Sequence, residues 1–256
     1  MKRGDLVTVS FELIKHSGNN PFEPESTEAC FTSSQRKNWL EQYYQIRQEC
    51  FRRDLGIKSF DGAEDKFDRS GYLLIALDRQ QCIGGVRLSI STPESPLLLP
   101  LEINGFMLQE RFPDIARNKE SYSQWTRLAL KLEYRASEVL HRMALVMIQQ
   151  TKRLQCSYSF NVAGMNRARL YQRLHRLQGF NYEILKGVNI PAEGNLVGLE
   201  HLLSVGYLKP KPIEQMLSRQ LLAAPARNAN PFAVGVACQA EQSMRGVGFK
   251  HAGMGV

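Results

Sequence analysis

Residues 124–163 decide the fold, because they read as strand, helix and strand in succession: QWTRLALKL (124–132), EYRASEVLHRMALVMIQQTKRLQ (133–155) and CSYSFNVA (156–163). The middle piece has strong helical periodicity from about Arg135 to Arg153. A strand, a long crossover helix and a second strand form a right-handed βαβ unit. The two strands are therefore predicted to be parallel, since parallel neighbours need such a crossover.

Further elements are predicted on both sides of this unit. They are an amphipathic helix capped by Thr32 and Gln35 that runs until Gly56, hairpin strands at 71–78 and 82–91 around a turn at 79–81, a helix at 166–178, and strands near 180–190 and 196–205. The sequence thus predicts an α/β (α+β) fold with a mixed, largely antiparallel sheet, one parallel βαβ crossover and helices on both faces.

The remaining stretches set the predicted domain boundaries. We expect an N-terminal extension (1–31), one domain (32–208) and a C-terminal tail (209–256) that is partly disordered, because helical patterning fades there into alanine, glycine and asparagine. Residues 92–121 contain four prolines and are predicted to be irregular or briefly helical. This excursion is long enough to cover a site.

Composition narrows the function classes. The net charge of +8 and pI near 9.3 favour anionic partners such as nucleic acid, anionic lipid or an acidic protein, or serve solubility alone. Five scattered cysteines without a C-x-x-C pair indicate free thiols in a reducing cytoplasm. The histidines lack ligand spacing and no apolar run reaches about 18 residues, so neither a metal site nor a membrane span is predicted.

Two motifs flank the crossover. NRARLYQRLHRLQGF (166–180) resembles the N-x-A-x-x-L-Y-x-x-x-G-F helix of GNAT acyltransferases, with a short insertion before Gly179 and Phe180. RLALKLEYR (127–135) resembles the R-L-A-V-x-P-x-Y-R strand of the same superfamily. The resemblance implies a GNAT-like fold in which this crossover carries the acyl donor.

The N-terminal half resembles a narrower branch, the acyl-homoserine-lactone synthases and the related N-acyl amino acid synthases. The motifs that carry this resemblance are Arg47 and Phe51 on the first helix, DKFD (65–68), GGVRL (84–88) and QWTR (124–127). Gln124 stands where the branch has Glu, and the tryptophan that the branch carries soon after Phe51 is absent. We therefore favour the wider acyltransferase group over the signal synthase itself.

This resemblance implies an N-acyltransferase that moves an acyl group, expected to be long, from an acyl carrier protein or CoA thioester to the amine of an amino acid or a homoserine-lactone-type acceptor. The implied catalytic residues are Asp65, Asp68, Arg127 and Tyr171, and the implied substrate-binding residues are Arg47, Phe51, Arg87, Gln124, Trp125, Thr126, Leu128 and Leu130.

The run at 135–140 corresponds to the turn that holds the CoA pyrophosphate in GNAT enzymes. It lacks both glycines of that turn, and Glu138 brings a negative charge to it. The donor is therefore expected on an acidic carrier protein, unless this region binds no donor. Arg169, Arg173 and Arg176 recur on one face of the 166–178 helix and form a candidate docking face, or simply a solvated one.

Each side chain has a structural interpretation beside the functional one. Asp65 and Asp68 either bind the ammonium group of the acceptor and help to deprotonate it, or they are acidic loop residues without a catalytic role. Arg47 lies on an apolar stripe and must be buried and paired, in a substrate cleft or in a structural salt bridge, unless its stem extends to water. Arg87 and Arg127 either clamp an acceptor carboxylate or fix the aspartates. Tyr171 either protonates a leaving thiolate or belongs to the core.

Two further functions stay open on this reading. One is a CoA-dependent acetyltransferase with a degenerate phosphate turn. The other is a non-catalytic module that binds an anionic partner through its arginines, although the 166–178 helix lacks the interleaved aromatic residues that favour nucleic acid.

Overall fold

The computed structural model describes residues 9–15, 31–135, 138–191 and 201–209. The strands in these ranges are β1 (Val9–Lys15), β2 (Tyr72–Asp78), β3 (Gln81–Ser91), β4 (Tyr122–Leu130), β5 (Tyr158–Ala163), β6 (Asn181–Leu185) and β7 (Leu202–Tyr207). The helices are α1 (Ser33–Asp54), α2 (Lys66–Ser70), α3 (Leu108–Arg111), α4 (Pro113–Arg117), α5 (Leu132–Arg135), α6 (Val139–Arg153) and α7 (Met165–Leu177), with a 3₁₀ turn at Glu102–Asn104.

The strands form one sheet in the order β1-β2-β3-β4-β5-β7-β6. Among the described strands, the β4–β5 pair is parallel and the other neighbours are antiparallel. The predicted crossover between β4 and β5 and the predicted mixed sheet are therefore confirmed.

Helices cover both faces of the sheet, as predicted. On β2, Leu73 and Ile75 pack in a core with α1, whereas the alternate residues Leu74 and Ala76 pack in a second core with α6. Because successive side chains of a strand point to opposite faces, this alternation shows that β2 is buried on both sides. A third core lies under the 92–121 excursion.

The start of α1 and the hairpin follow from local sequence. Thr32 accepts a hydrogen bond from the backbone of Gln35, and Gln35 accepts one from the backbone of Thr32, which completes the predicted capping box. The hairpin loop is shorter than the predicted turn, because β3 already begins at Gln81. Arg79 and Gln80 both have positive φ, 49° and 68°, as the two-residue loop with matching twist requires.

The structure corrects three details. β1 lies within the stretch predicted as an N-terminal extension and pairs with β2 along its whole length. α6 begins at Val139 rather than near 135, since the short α5 precedes it. The spacing of Leu170, Leu174 and Leu177 predicts an apolar face of the 166–178 helix, but Leu177 is 71% exposed and His175 is buried on α7 instead.

Most of residues 1–31 and 209–256 lie outside the described residues, so the domain boundaries stay predictions. No helix in the described part of the chain is long and apolar enough to cross a membrane.

Candidate active site

A β-bulge interrupts β4 where it runs beside β3. Thr126 pairs with Arg87 and Ala129 pairs with Gly85, so two residues of β4 lie opposite a single residue of β3. Arg127, one of these two, has a left-handed φ of 58°. A bulge leaves one residue outside the ladder and bends the strand, so it frees main-chain groups at this point.

The bulge also shifts the alternation of side chains along β4 by one residue. Ala129, after the bulge, packs with α1, while Trp125 and Leu130 both pack in the core with α6. Gln124 and Thr126, before the bulge, therefore share the α1 face with Ala129. Polar side chains are in this way gathered on one face just before the strand bends.

The sheet opens at the same place. Parallel pairing of β4 with β5 runs from Tyr122 and Tyr158 to Trp125 and Asn161, and no pair is formed beyond these within the described residues. A cavity of about 760 Å³ lies at the opening, with walls from α1, the excursion, β4, β5, the start of α6 and the first half of α7. Its volume falls in the usual range for a small-molecule site.

Part of the predicted site lines this cavity and part does not. The predicted residues on its wall are Phe51, Gln124, Trp125, Thr126, Arg127, Leu128 and Tyr171. Leu130 lines a smaller neighbouring cavity of about 290 Å³. Arg47, Asp65, Asp68 and Arg87 are instead collected in an ion cluster on the α1 face.

The centre of this ion cluster is a buried pair. Arg47 Nη1 donates to both carboxylate oxygens of Asp68, at 3.1 and 3.0 Å, and both side chains are at most 1% exposed. Arg47 Nε also donates to the carbonyl of Gly62 at 3.0 Å. Arg47 is thus buried and paired, as predicted, and the alternative in which its stem extends to water is excluded.

Arg87 extends the ion cluster to the second aspartate. Its Nη1 donates to both oxygens of Asp65 at 2.7 Å and to Asp68 at 3.3 Å. Asp65 also caps α2 by accepting the backbone N–H groups of Phe67 and Asp68. Burial alone raises the pKa of Asp65, but Arg87 and these N–H groups outweigh it and lower the pKa below its ordinary value. A carboxylate held in this way is a weak base.

Thr126 connects the ion cluster to the cavity. Its hydroxyl oxygen accepts a hydrogen bond from Arg87 Nε at 2.8 Å, and the residue lines the cavity. The ion cluster therefore fixes the orientation of a wall residue.

Arg127 lies at the cavity beside two aromatic rings. Its guanidinium carbon is 5.5 Å from the centre of the Phe51 ring and 5.1 Å from that of Phe60, and the two rings stack at 4.4 Å. The carbonyl of Arg127 accepts the hydroxyl of Tyr43 at 2.7 Å, which anchors the bulge to α1. Cation–π contacts of this kind hold the guanidinium in place over the two rings.

Tyr171 and His175 follow one another along the buried side of α7. Tyr171 lines the cavity and packs edge-on against Trp125, with ring centres 5.6 Å apart. Burial raises the pKa of Tyr171, so its phenol is protonated at neutral pH. Burial lowers the pKa of His175 to about 4, and its Nδ1 donates to the carbonyl of Tyr171 at 2.8 Å. Both groups are therefore uncharged at neutral pH.

The excursion forms a fixed wall of the cavity. The buried carboxylate of Glu102 accepts the backbone N–H groups of Leu99 at 2.9 Å and Leu108 at 3.1 Å. Pro100 and Leu101, which line the cavity, lie between these anchors. The length of the excursion allowed for such a wall, whereas no sequence motif indicated Asn161 of β5, which pairs with Trp125 and also lines the cavity.

The predicted docking residues Arg169, Arg173 and Arg176 are all exposed on α7. At the start of α6, Glu138 is the N-cap residue and provides no side-chain cap. Arg135, just before it, is ion-paired with Asp54. Residues 136 and 137 of the predicted donor turn lie outside the described residues.

No protein-family model and no curated protein matches the sequence. Among solved structures, the chain is similar to a CoA-dependent acyl-homoserine lactone synthase, BjaI, solved with SAM and isopentyl-CoA, at 16% identity and a TM-score of 0.46, over 72% of this chain and 82% of that one. It is also similar to FeeM, an N-acyl amino acid synthase from uncultured soil microbes, at 6% identity and a TM-score of 0.44, over 78% and 91% of the two chains.

A third similar structure is a putative N-acetyltransferase from Lactobacillus plantarum, at 12% identity and a TM-score of 0.45, over 78% of this chain and 99% of that one. All three similarities are at low identity and have TM-scores below 0.5.

Proposed function

We propose that this protein is an N-acyltransferase that moves an acyl group from a phosphopantetheine thioester to the amine of a small molecule, with an amino acid as the favoured acceptor. One observation carries the proposal: the sheet opens between β4 and β5 beside a bulged strand, and the opening contains a cavity with a protonated tyrosine on its wall. A thioester placed there lies against main-chain donors that the bulge releases from the ladder.

The reaction needs little from ionised side chains. The neutral amine attacks the thioester carbonyl, a C–N bond forms, and the C–S bond breaks to give an amide and a thiolate. Main-chain N–H groups of β4 near Leu128 stabilise the oxyanion, a type of contact worth about 2.7–4 kcal/mol in known enzymes. Tyr171 gives its hydroxyl proton to the thiolate and regains one from the nitrogen, so the proton lost by the amine ends on sulfur.

The sequence predicts that Asp65 or Asp68 deprotonates the acceptor amine, but the structure favours a different base. Among the described residues that line the cavity there is no Asp or Glu. Asp68 is fully buried and bonded to two arginines, and the pKa of Asp65 is lowered. We infer that the two aspartates support the wall through Arg87 and Thr126, and that the acceptor ammonium loses its proton to solvent before it attacks.

The donor in this proposal is carried by an acyl carrier protein rather than by free CoA. The three exposed arginines of α7 offer positive charge to an acidic carrier, and α7 begins at the cavity with Asn166 and Arg167 on its wall. A phosphopantetheine arm from a carrier on α7 therefore has a short path to the opening. Acyl-CoA is the alternative donor.

The test is mass spectrometry of lipid extracts from cells that express the wild-type protein, the Arg127→Ala variant or an empty vector. The matched control is Arg117→Ala, which removes an exposed arginine of α4 outside the cavity. We expect an acylated amine in the wild-type and Arg117→Ala extracts and much less of it in the Arg127→Ala extract. A wild-type extract identical to the empty-vector extract contradicts the function, and equal product from Arg127→Ala contradicts the site.

A further inference from the structure

His201 lies at the open end of the sheet. It comes directly before β7, whose first residue, Leu202, pairs with Ala163 at the end of β5. This end of β5 has separated from β4, since their pairing reaches only to Asn161 in the described part of the chain. His201 lines the cavity there together with Ala163 and Gly164. It therefore belongs to the opening in which the thioester is proposed to lie.

Few of the described residues on the cavity wall are ionisable: they are Arg127, Arg167, Tyr171 and His201. A guanidinium stays protonated in proteins, so the two arginines cannot take up a further proton. Burial raises the pKa of Tyr171, so its phenol keeps its proton at neutral pH. Histidine is the side chain that both accepts and releases a proton near neutral pH. Of the described wall residues, His201 is thus the one suited to act as a base.

His201 and Tyr171 lie on opposite faces of the sheet. Tyr171 belongs to the core with α6, whereas Leu203, two residues after His201, belongs to the core under the excursion. The alternation of side chains, continued by one residue from β7, places His201 on the same face as Leu203. An amine that reaches the carbonyl from the excursion face therefore meets His201, and the sulfur leaves towards Tyr171 on the other face.

The exposure of His201 also suits a base. The residue is partly exposed, whereas Tyr171 is buried, so a proton taken up by His201 has access to water. We propose that His201 is a catalytic base: a ring nitrogen takes one proton from the acceptor ammonium and passes it to water, which leaves the neutral amine to attack the thioester carbonyl. The assignment rests on the proposed function and adds to it the group through which the ammonium proton reaches solvent.

The exchange His201→Ala tests this by removing the imidazole. The matched control is His141→Ala, which removes an exposed histidine of α6 outside the cavity. Each purified protein is given the octanoyl thioester of N-acetylcysteamine as donor and a mixture of the common amino acids as acceptors. Mass spectrometry measures the rate at which N-octanoyl amino acids form, from about pH 7 to about pH 10, with and without added imidazole.

We expect His141→Ala to match the wild type and His201→Ala to be slower by about 10²-fold or more near neutral pH, the usual contribution of a general base. The deficit is expected to shrink as the pH rises, because the ammonium then loses its proton without a base. Added imidazole is expected to restore part of the rate of His201→Ala, above the rate of the protein-free reaction. A merely structural role of His201 predicts neither effect.

Two results overturn the role of His201 and leave the transferase function standing. One is an unchanged rate in His201→Ala near neutral pH, and the other is a deficit that is equal at every pH and persists with imidazole. No product from any of the three proteins overturns the transferase function and the assignment together. If His201→Ala does not fold, judged by circular dichroism, His201→Gln serves as the second variant, and a deficit that does not change with pH overturns the assignment equally.

Discussion

On the α1 face of β3, four ionised side chains neutralise one another, whereas on α7 the buried titratable groups next to the cavity carry no charge. Arg47 bonds to Asp68, and Arg87 bonds to both Asp65 and Asp68, through hydrogen bonds of 2.7–3.3 Å. His175, by contrast, has its pKa lowered to about 4 by burial. In the ion cluster, pairing with an opposite charge offsets the free-energy cost of burying each charge. On α7, the buried groups are uncharged, so this cost does not arise.

The difference suggests separate tasks for the two regions. Paired charges in a rigid ion cluster hold Thr126 and the bulged part of β4 in place. Beside the opening, Tyr171 and His175 are uncharged at neutral pH, so their burial needs no counter-ion. On this basis, damage to the ion cluster reduces stability, and damage to the opening reduces turnover.

The largest expected effect comes from removing the centre of the ion cluster. Asp68→Ala leaves two arginines buried without their shared partner, which is expected to lower the free energy of unfolding by about 3–5 kcal/mol. The reference is Asp114→Ala, which breaks the exposed pair with Arg117 and is expected to cost below about 1 kcal/mol. Urea denaturation measures both. Similar losses in the two variants contradict a structural role for the ion cluster.

The next effect concerns the uncharged region and depends on pH. The pKa of His175 is about 4 in the folded chain against 6.5 ordinarily, so the unfolded chain takes up the proton first as the pH falls. This contribution to stability is complete above pH 6.5 and is lost between 6.5 and about 4, on the order of 3 kcal/mol in total. The pKa of Asp65 is lowered below 3.8, so protonation of this carboxylate reduces the stability only under more acidic conditions.

Denaturation of the wild type and of His175→Gln at several pH values between 7 and 4 measures this contribution. The wild type should lose stability with falling pH over that range, and the variant should lose less. A variant as pH-sensitive as the wild type indicates that His175 is not buried in its neutral form.

Tyr171 links the uncharged region to turnover. Tyr171→Phe removes the proposed proton donor and keeps the packing on Trp125, so kcat is expected to fall about 10²-fold, or about 2.7 kcal/mol, with little change in KM. Steady-state kinetics with the acceptor found in the extracts measures this. Tyr158→Phe, which removes the hydroxyl of a tyrosine on β5 outside the cavity, should leave kcat unchanged. If the wild type, Tyr171→Phe and Tyr158→Phe have equal kcat, Tyr171 has only a packing role in the core.

The smallest effect tests the bulge between the two regions. Arg127→Gly and Arg127→Val both remove the guanidinium, but valine resists the left-handed φ of 58° that glycine adopts freely. The valine variant is expected to be about 1–2 kcal/mol less stable than the glycine variant in urea denaturation. Equal stabilities are incompatible with a left-handed residue at this position.

Local sequence signals predicted the elements but not the geometry of the opening. The capping box at Thr32, the hairpin and the crossover all follow from spacing, and the position of Arg47 on an apolar stripe was enough to predict its burial. β1 was missed although its apolar residues alternate, because it is separated from β2 by more than fifty residues and its pairing is therefore non-local.

The candidate site was only partly predictable for the same reason. The motifs identified the residues of the ion cluster and of β4, yet nothing in the sequence marks Arg127 as left-handed, since arginine has no preference for that conformation. The bond from Leu101 to Gln124 joins residues 23 apart, and the place of Asn161 on the cavity wall depends on where two strands separate. Such contacts are set by tertiary packing.

The proposed function requires that the acyl thioester binds in the opening between β4 and β5. The most direct measurement is a crystal structure of the protein with an unreactive thioether analogue of acyl-pantetheine. We predict that its sulfur lies between the separating ends of β4 and β5, within contact distance of Tyr171. Binding of the analogue outside this opening, or a continuous β4–β5 ladder beyond Trp125, contradicts this placement of the thioester.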